Sequence, residues 1–470
     1  MPPRPVCVDG AWVDDILLQG DGRDVVLHLD APVTRATLRE LVAAQCTELE
    51  AAGLTTGGSL AVRVPPSLSC IVAMLAGWRT GAQVILLDYR LTPHEVGQAI
   101  ARLTPQLVIE PTEKVAGALT GFFQVDVRLT PLKGGRPAAT DHALLQLSSG
   151  STGPSKVIGR TVASLLEEID RYGRLEGFPR RGERTVVLAS IVHVLGLVGG
   201  LLYGLASGTQ VVLPTSQTLD GILKAVAAGP EPTTILGVPS QAALLAASQS
   251  PTRPPQLRQM ITGGELIKPS VRERFTNGYD AGLGAMYGMT ETGVIAVDLS
   301  GTAAGLTPVP GMRVRVEDEQ ILLGLPASPY VGKIDPTRYV DGWLYTKDAG
   351  RFDATSGLLT VHGRLDSQVS VGGLKVDLSE VEASIASLPG ITDAVVVHGT
   401  GIEAYVTVAE QSVTDRLAEC LAARLAPYKR PRAVHVLTEL PRTATGKPVR
   451  NAQTLRSAAR ATAGATPAQK

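Results

Sequence analysis

Ser148-Ser149-Gly150-Ser151-Thr152-Gly153-Pro154-Ser155-Lys156 is the stretch from which the rest of this chain can be read. It follows Ala143-Leu144-Leu145-Gln146-Leu147, a run apolar enough for a buried strand. Its small residues, two of them glycine, crowd no ligand and let backbone N–H groups turn inward toward a phosphate. Hydroxyls and one lysine add donors and positive charge. The spacing is not G-x-x-x-x-G-K-[ST], so this is not a Walker loop. Taken alone, the run also fits a flexible Ser/Gly connector, and the two readings are separated by motifs further along.

Around it, short apolar runs alternate with helical patterns. Leu60-Ala61-Val62-Arg63-Val64 precedes a helix over 68–80; Val84-Ile85-Leu86-Leu87 precedes one over 93–103, and Leu107-Val108-Ile109 follows. That rhythm predicts βαβ units, parallel sheets and packed helices, an α/β fold. From Thr185 to Leu219 there is no Asp, Glu, Lys or Arg, a length that could span a bilayer. Glycines at 196, 199, 200, 204 and 208 interrupt it. It is better divided into a strand at 186–189, a buried helix at 195–205 and a strand at 210–213, with no membrane span.

At 470 residues the chain calls for two or more domains. Lys plus Arg and Asp plus Glu balance at 44 each, which leaves no net field for nucleic acid or an anionic membrane. Cys7, Cys46, Cys70 and Cys420 are scattered, without metal-ligand spacing or a disulfide framework, and suit a reduced, cytoplasmic setting. The first residues lack the apolar core of a secretory signal.

Four further motifs follow in order: Tyr287-Gly288-Met289-Thr290-Glu291, Tyr345-Thr346-Lys347-Asp348, Gly363-Arg364-Leu365-Asp366 and Pro441-Arg442-Thr443-Ala444-Thr445-Gly446-Lys447. With the Ser/Gly loop they resemble the ordered motif set of the adenylate-forming superfamily: acyl-CoA synthetases, nonribosomal peptide adenylation domains and firefly luciferase. The resemblance runs from about residue 30 to 450. It implies a large N-terminal domain, 1–365, of parallel βαβ-type sheets with packed helices. A small mobile C-terminal α/β domain, 366–455, would follow; the Ala- and Thr-rich residues 456–470 read by composition as a disordered tail. The loop departs from the commonest family form, T-G-x-P-K-G, at Ser155 and Val157, and looks more like the loops of aryl-acid-activating members.

Adenylation brings a carboxylate to the α-phosphorus of ATP as pyrophosphate leaves. It needs a phosphate cradle, Mg²⁺, a cation at the reacting centre and anchors for adenosine. By resemblance the cradle is Ser148, Ser149, Gly150, Ser151, Thr152, Gly153 and Lys156. Glu291 would hold Mg²⁺, as a hard oxygen ligand suits that ion, and Thr290 would contact phosphate. Tyr287, Gly288 and Met289, with the Gly263-Gly264-Glu265 turn, would wall adenine. Asp348, supported by Arg364, would accept the ribose hydroxyls; Lys347 replaces the family's usual glycine there and is strained if the turn needs a left-handed backbone. Without the family frame Glu291 reads as a capping residue, and Arg364 with Asp366 as a surface ion pair.

Lys447 would be the cation at the reacting centre, a point charge on a flexible stem, and Asp366 the hinge. Val371-Gly372-Gly373 would line a channel for a pantetheine arm, from CoA or from a carrier protein. Tyr428-Lys429-Arg430-Pro431 resembles the Y-K-x-P of many CoA ligases. His193, Val194, Gly263, Gly264 and Met289 would form the acid pocket. Amino-acid activators carry an aspartate near 193–194, and its absence here implies an acid without an α-amine. The expected activity is ATP- and Mg²⁺-dependent formation of an acyl-adenylate, then of a thioester, from an aromatic or other such acid. A non-thioester second step and a non-catalytic nucleotide-binding relative are the alternatives.

Overall fold

The computed structural model describes residues 9–113, 121–122, 124–148, 156–248, 253–302, 304–365, 367–409, 414–441 and 448–464. The expected alternation is present: strand Ser59–Val62, helix Leu68–Arg79, strand Gln83–Leu86, helix Pro93–Leu103, strand Leu107–Pro111. Polar caps fix where helices begin. The Ser67 hydroxyl accepts from the Cys70 N–H, and the Thr161 hydroxyl from that of Ser164.

Two compact units divide the chain. The first comprises residues 1–89, 103–147 and 157–363. It carries two large sheets. In one, the strands 25–28, 210–212, 184–187, 233–237, 257–263 and 282–289 lie side by side and parallel, and 293–298 returns antiparallel. In the other, 144–148, 83–86, 59–62 and 107–111 run parallel, as βαβ connections require. Strand 156–160 extends this second sheet and pairs antiparallel with the short strand Tyr330–Val331.

The uncharged run divides as expected. Strand Arg184–Val187 leads to a helix that winds with π geometry over Leu195–Leu202 and α geometry over Tyr203–Ser207, and strand Gln210–Val212 follows. Its glycines mark close packing: a Cβ on Gly199 would lie 2.8 Å from the Tyr172 ring, and one on Gly200 2.9 Å from Val187. No described helix is long and apolar enough to cross a membrane.

The second unit comprises residues 90–102, 148–156 and 364–470. The sequence placed 90–102 in the large domain. Side chains explain the difference: Lys429 Nζ lies 2.9 Å from Glu95 Oε1 and 2.8 Å from Glu380 Oε1, and the Thr92 hydroxyl donates to the Arg424 carbonyl. Burial alone would push the Lys429 ammonium down, but Glu380, Tyr428 and Glu95 outweigh it and hold the pKa above the ordinary lysine range. A hairpin, 368–371 with 374–377, leads into helix Leu378–Ala386, which packs beside the sheet of strands 391–398, 402–408 and 433–436. The tail reading needs correction over 456–464, while residues 465–470 lie outside the described residues. Residues 452–464 form a helix rather than a disordered segment, because Leu455 is fully buried and Ala458 and Ala459 pack with it against Val395, Tyr405 and Leu437.

Candidate active site

The strands Leu144–Ser148 and Lys156–Arg160 bracket the Ser/Gly loop. Ser149, Gly150, Ser151, Thr152 and Gly153 lie outside the described residues, as do Asp366 and Lys447. Ser148 ends its strand and Lys156 begins the next. Gln146, buried on the first strand, donates from Nε2 to the Val192 carbonyl at 2.8 Å. This fixes the segment that carries His193.

Two of the motifs meet directly. Tyr287 Oη donates to Asp348 Oδ2 at 2.6 Å. Asp348 is buried on strand 343–353, its N–H bonded to Thr346 Oγ1 at 3.0 Å, and that hydroxyl donates to the Ile321 carbonyl at 2.7 Å. Lys347 has φ +63°, the left-handed conformation that the family's glycine would adopt without strain. Lys347→Gly is therefore expected to raise stability by ~0.5–1 kcal/mol, with ATP-dependent activity changed less than about threefold. A lower melting temperature in differential scanning calorimetry would refute this.

Thr290 and Glu291 sit at the tip of the hairpin formed by strands 282–289 and 293–298, closed by a bond from the Thr292 N–H to the Met289 carbonyl at 3.2 Å. Sequence reasoning missed Tyr330, whose hydroxyl donates to Glu291 Oε1 at 3.0 Å. No linear pattern pointed to it, because it is brought there by the pairing of Tyr330 with Ile158 on the strand that leaves the loop. Tyr330→Phe is expected to raise the Mg²⁺ concentration for half-maximal activity about threefold to tenfold, the scale of one net hydrogen bond. An unchanged Mg²⁺ titration would contradict that.

The residues suit Mg²⁺. Glu291 supplies a hard, half-buried carboxylate with one oxygen already oriented. Among the described residues no three His, Cys, Asp or Glu side chains gather as an all-protein metal cage. That combination fits an ion taking its other ligands from phosphates and water.

Gly263 ends strand 257–263 in register with Met286, and a Cβ there would lie 3.2 Å from both Leu195 and the Met286 carbonyl. Gly264 follows at φ +95°, exposed, and Glu265 is half-buried. Tyr287, Gly288 and Met289 are likewise half-buried along the neighbouring strand. Of the stretch 191–195, Ile191 and Val192 belong to the core, whereas His193, Val194 and Leu195 are half-exposed. The His193 N–H bonds to the Ser190 carbonyl at 3.0 Å, and its Nε2 lies 3.6 Å from the carboxylate of Asp88, a second residue that sequence reasoning missed.

In the second unit Arg364 ends strand 358–364, half-buried. Gly372 and Gly373, at φ +58° and +82°, form the two-residue turn joining Val371 to Leu374. A type I′ hairpin turn of this kind needs φ > 0 at both positions. A Cβ on Gly372 would meet nothing within 4 Å. Backbone conformation, rather than crowding, therefore accounts for Gly372, and Gly373 shares the left-handed conformation.

The AMP-binding enzyme family model matches residues 19–329, and the AMP-binding enzyme C-terminal domain model matches residues 380–447. The chain is 26% identical to a 3-hydroxybenzoate/4-hydroxybenzoate–CoA ligase of Thauera aromatica, over 87% of this chain and 90% of that one. It is 28% identical to a feruloyl-CoA synthase of Amycolatopsis, over 93% and 96%. Its fold is similar to that of o-succinylbenzoate CoA synthetase from Bacillus subtilis, with a TM-score of 0.81 at 21% identity over 95% of this chain and 98% of that one. An amide bond synthetase from Marinactinospora thermotolerans shares the fold at a TM-score of 0.78 and 22% identity, over 96% and 99%. The chain thus belongs to the AMP-binding enzyme family, as an acid–thiol ligase of the stand-alone adenylate-forming type.

Proposed function

We propose that this protein joins an aromatic carboxylic acid to coenzyme A through an acyl-adenylate, with ATP cleaved to AMP and pyrophosphate. The observation that carries the reading is the 2.6 Å bond between Tyr287 and Asp348, which joins two motifs that are distant in sequence. Asp348 anchors the ribose, Tyr287 and Gly288 flank adenine, and the Ser148 to Lys156 stretch cradles phosphate. Mg²⁺, when bound, neutralises phosphate charge as pyrophosphate leaves. Glu291 contributes one oriented oxygen to that ion, and Thr290 contacts phosphate beside it. Lys447 bridges the incoming carboxylate and the α-phosphate, holding two anions at reacting distance. His193, Val194, Gly263 and Met289 line the acid site, which offers no carboxylate at 193–194 to pair an α-ammonium. Asp366 is the hinge that withdraws Lys447 between half-reactions, and Val371 to Gly373 border the thiol's path.

Coenzyme A is favoured as acceptor over a carrier protein because the curated relatives are named as CoA ligases. Incubation with benzoate or a hydroxybenzoate, ATP, Mg²⁺ and coenzyme A is expected to yield the aroyl-CoA and AMP in equal amounts, read by mass spectrometry. An adenylate that accumulates and is not transferred to coenzyme A would instead favour a carrier protein or a non-thioester second step.

A further inference from the structure

The buried pair of Arg160 and Glu168 lies outside every motif discussed above. Arg160 closes the strand that leaves the phosphate loop, and Glu168 faces it from helix Val162–Arg174 with no exposed side-chain surface. Arg160 Nη2 donates to Glu168 Oε2 at 2.9 Å, and its Nε and Nη2 also reach Ser164. Glu168 Oε1 accepts from the Val294 N–H at 3.2 Å. Val294 lies three residues past Glu291, just beyond the hairpin tip that carries Thr290 and Glu291.

The hairpin is shaped around this carboxylate. Gly293, at φ +78°, has no room for a side chain, because a Cβ would run into the Glu168 carboxylate. One turn further along the same helix, Tyr172 Oη donates to Met286 Sδ at 3.5 Å on the opposite strand of the hairpin. The helix thus grips both strands. On the other side of the strand that leaves the loop, Tyr330 pairs with Ile158 and bonds to Glu291. Burial pushes the Glu168 carboxyl above the usual carboxylate range against the pull of Arg160. A fully buried ion pair is weak evidence for a stability role, since apolar replacements are often neutral or better.

We infer that Glu168 is a positioning residue, which with Arg160 sets the register between the strand leaving the phosphate loop and the hairpin tip, and so places Glu291 for Mg²⁺–ATP. The inference rests on the functional reading above, in which Glu291 faces the metal.

Isothermal titration of the full chain with ATP at saturating Mg²⁺, without acid, tests it apart from turnover. Glu168→Gln is expected to weaken ATP binding about tenfold in the parent, yet less than about twofold in a Glu291→Gln background, because residues acting through one group are non-additive. Should Glu168→Gln fail to fold, the apolar pair Arg160→Met/Glu168→Leu keeps the volume without the anchor and should show the same dependence on background. Equal weakening in both backgrounds, or none in either, would overturn the positioning role. A parent that binds no ATP would overturn the functional reading as well.

Discussion

Lys447→Ala is expected to slow acyl-adenylate formation by ~10²–10³-fold, the range for removing one preorganised electrostatic contact. Attack of a thiol on supplied acyl-adenylate should change less than about threefold. The asymmetry follows from the proposed role of Lys447, which lies in the sequence Thr445-Gly446-Lys447 beyond Asp366, the proposed hinge. A cation that serves only the first half-reaction can be withdrawn before the second. Single-turnover measurements of the two half-reactions check this, and equal losses in both would show that Lys447 supports the fold or binds a group common to both steps.

The second large effect is on stability. Lys429→Ala should destabilise the second unit by about 3–5 kcal/mol, the scale of removing one partner from a buried ion pair. It would leave Glu95 and Glu380 facing each other, where Lys429 Nζ now lies within 2.9 Å of both. Because a chain with two compact units need not unfold in one step, hydrogen exchange in helices 378–386 and 414–424 is the appropriate reading. Those amides should lose protection while strands 184–187 and 233–237 keep theirs. Unchanged protection would mean that water or a neighbouring side chain replaces the ammonium.

The sequence disclosed the fold wherever periodicity carried it. Strands near 60, 84, 107, 186 and 210, and helices near 68 and 93, lie where β-branched runs and 3.6-residue patterns place them. It was less informative where long-range packing decides. The helix after His193 takes π geometry at its start, something that its glycines hinted at only as an interruption. The Ala/Thr-rich end looked disordered by composition, yet Leu455 finds a buried seat and the segment is helical to Gly464.

The candidate site divides in the same way. Motif residues such as Tyr287, Glu291 and Asp348 were legible because each sits in a short recognisable string. Tyr330, Asp88 and Glu168 were not, since each meets Glu291, His193 or Val294 only through strand pairing or helix packing across tens of residues or more, and Arg160 because its pairing with Glu168 depends on how a strand end meets the following helix. The glycines at 372 and 373 were noticed for a different reason from the one the backbone gives, a left-handed two-residue turn.

Acid-dependent exchange of labelled pyrophosphate into ATP tests the central claim most directly, because it reports adenylation alone and needs no thiol. Benzoate-like acids presented one at a time with Mg²⁺ should stimulate exchange well above the acid-free level, short aliphatic acids should do so less, and ordinary α-amino acids should not. Exchange driven by an α-amino acid with no response to benzoates would contradict the pocket reading at His193 and Val194. ATP binding without exchange for any acid would contradict adenylation itself.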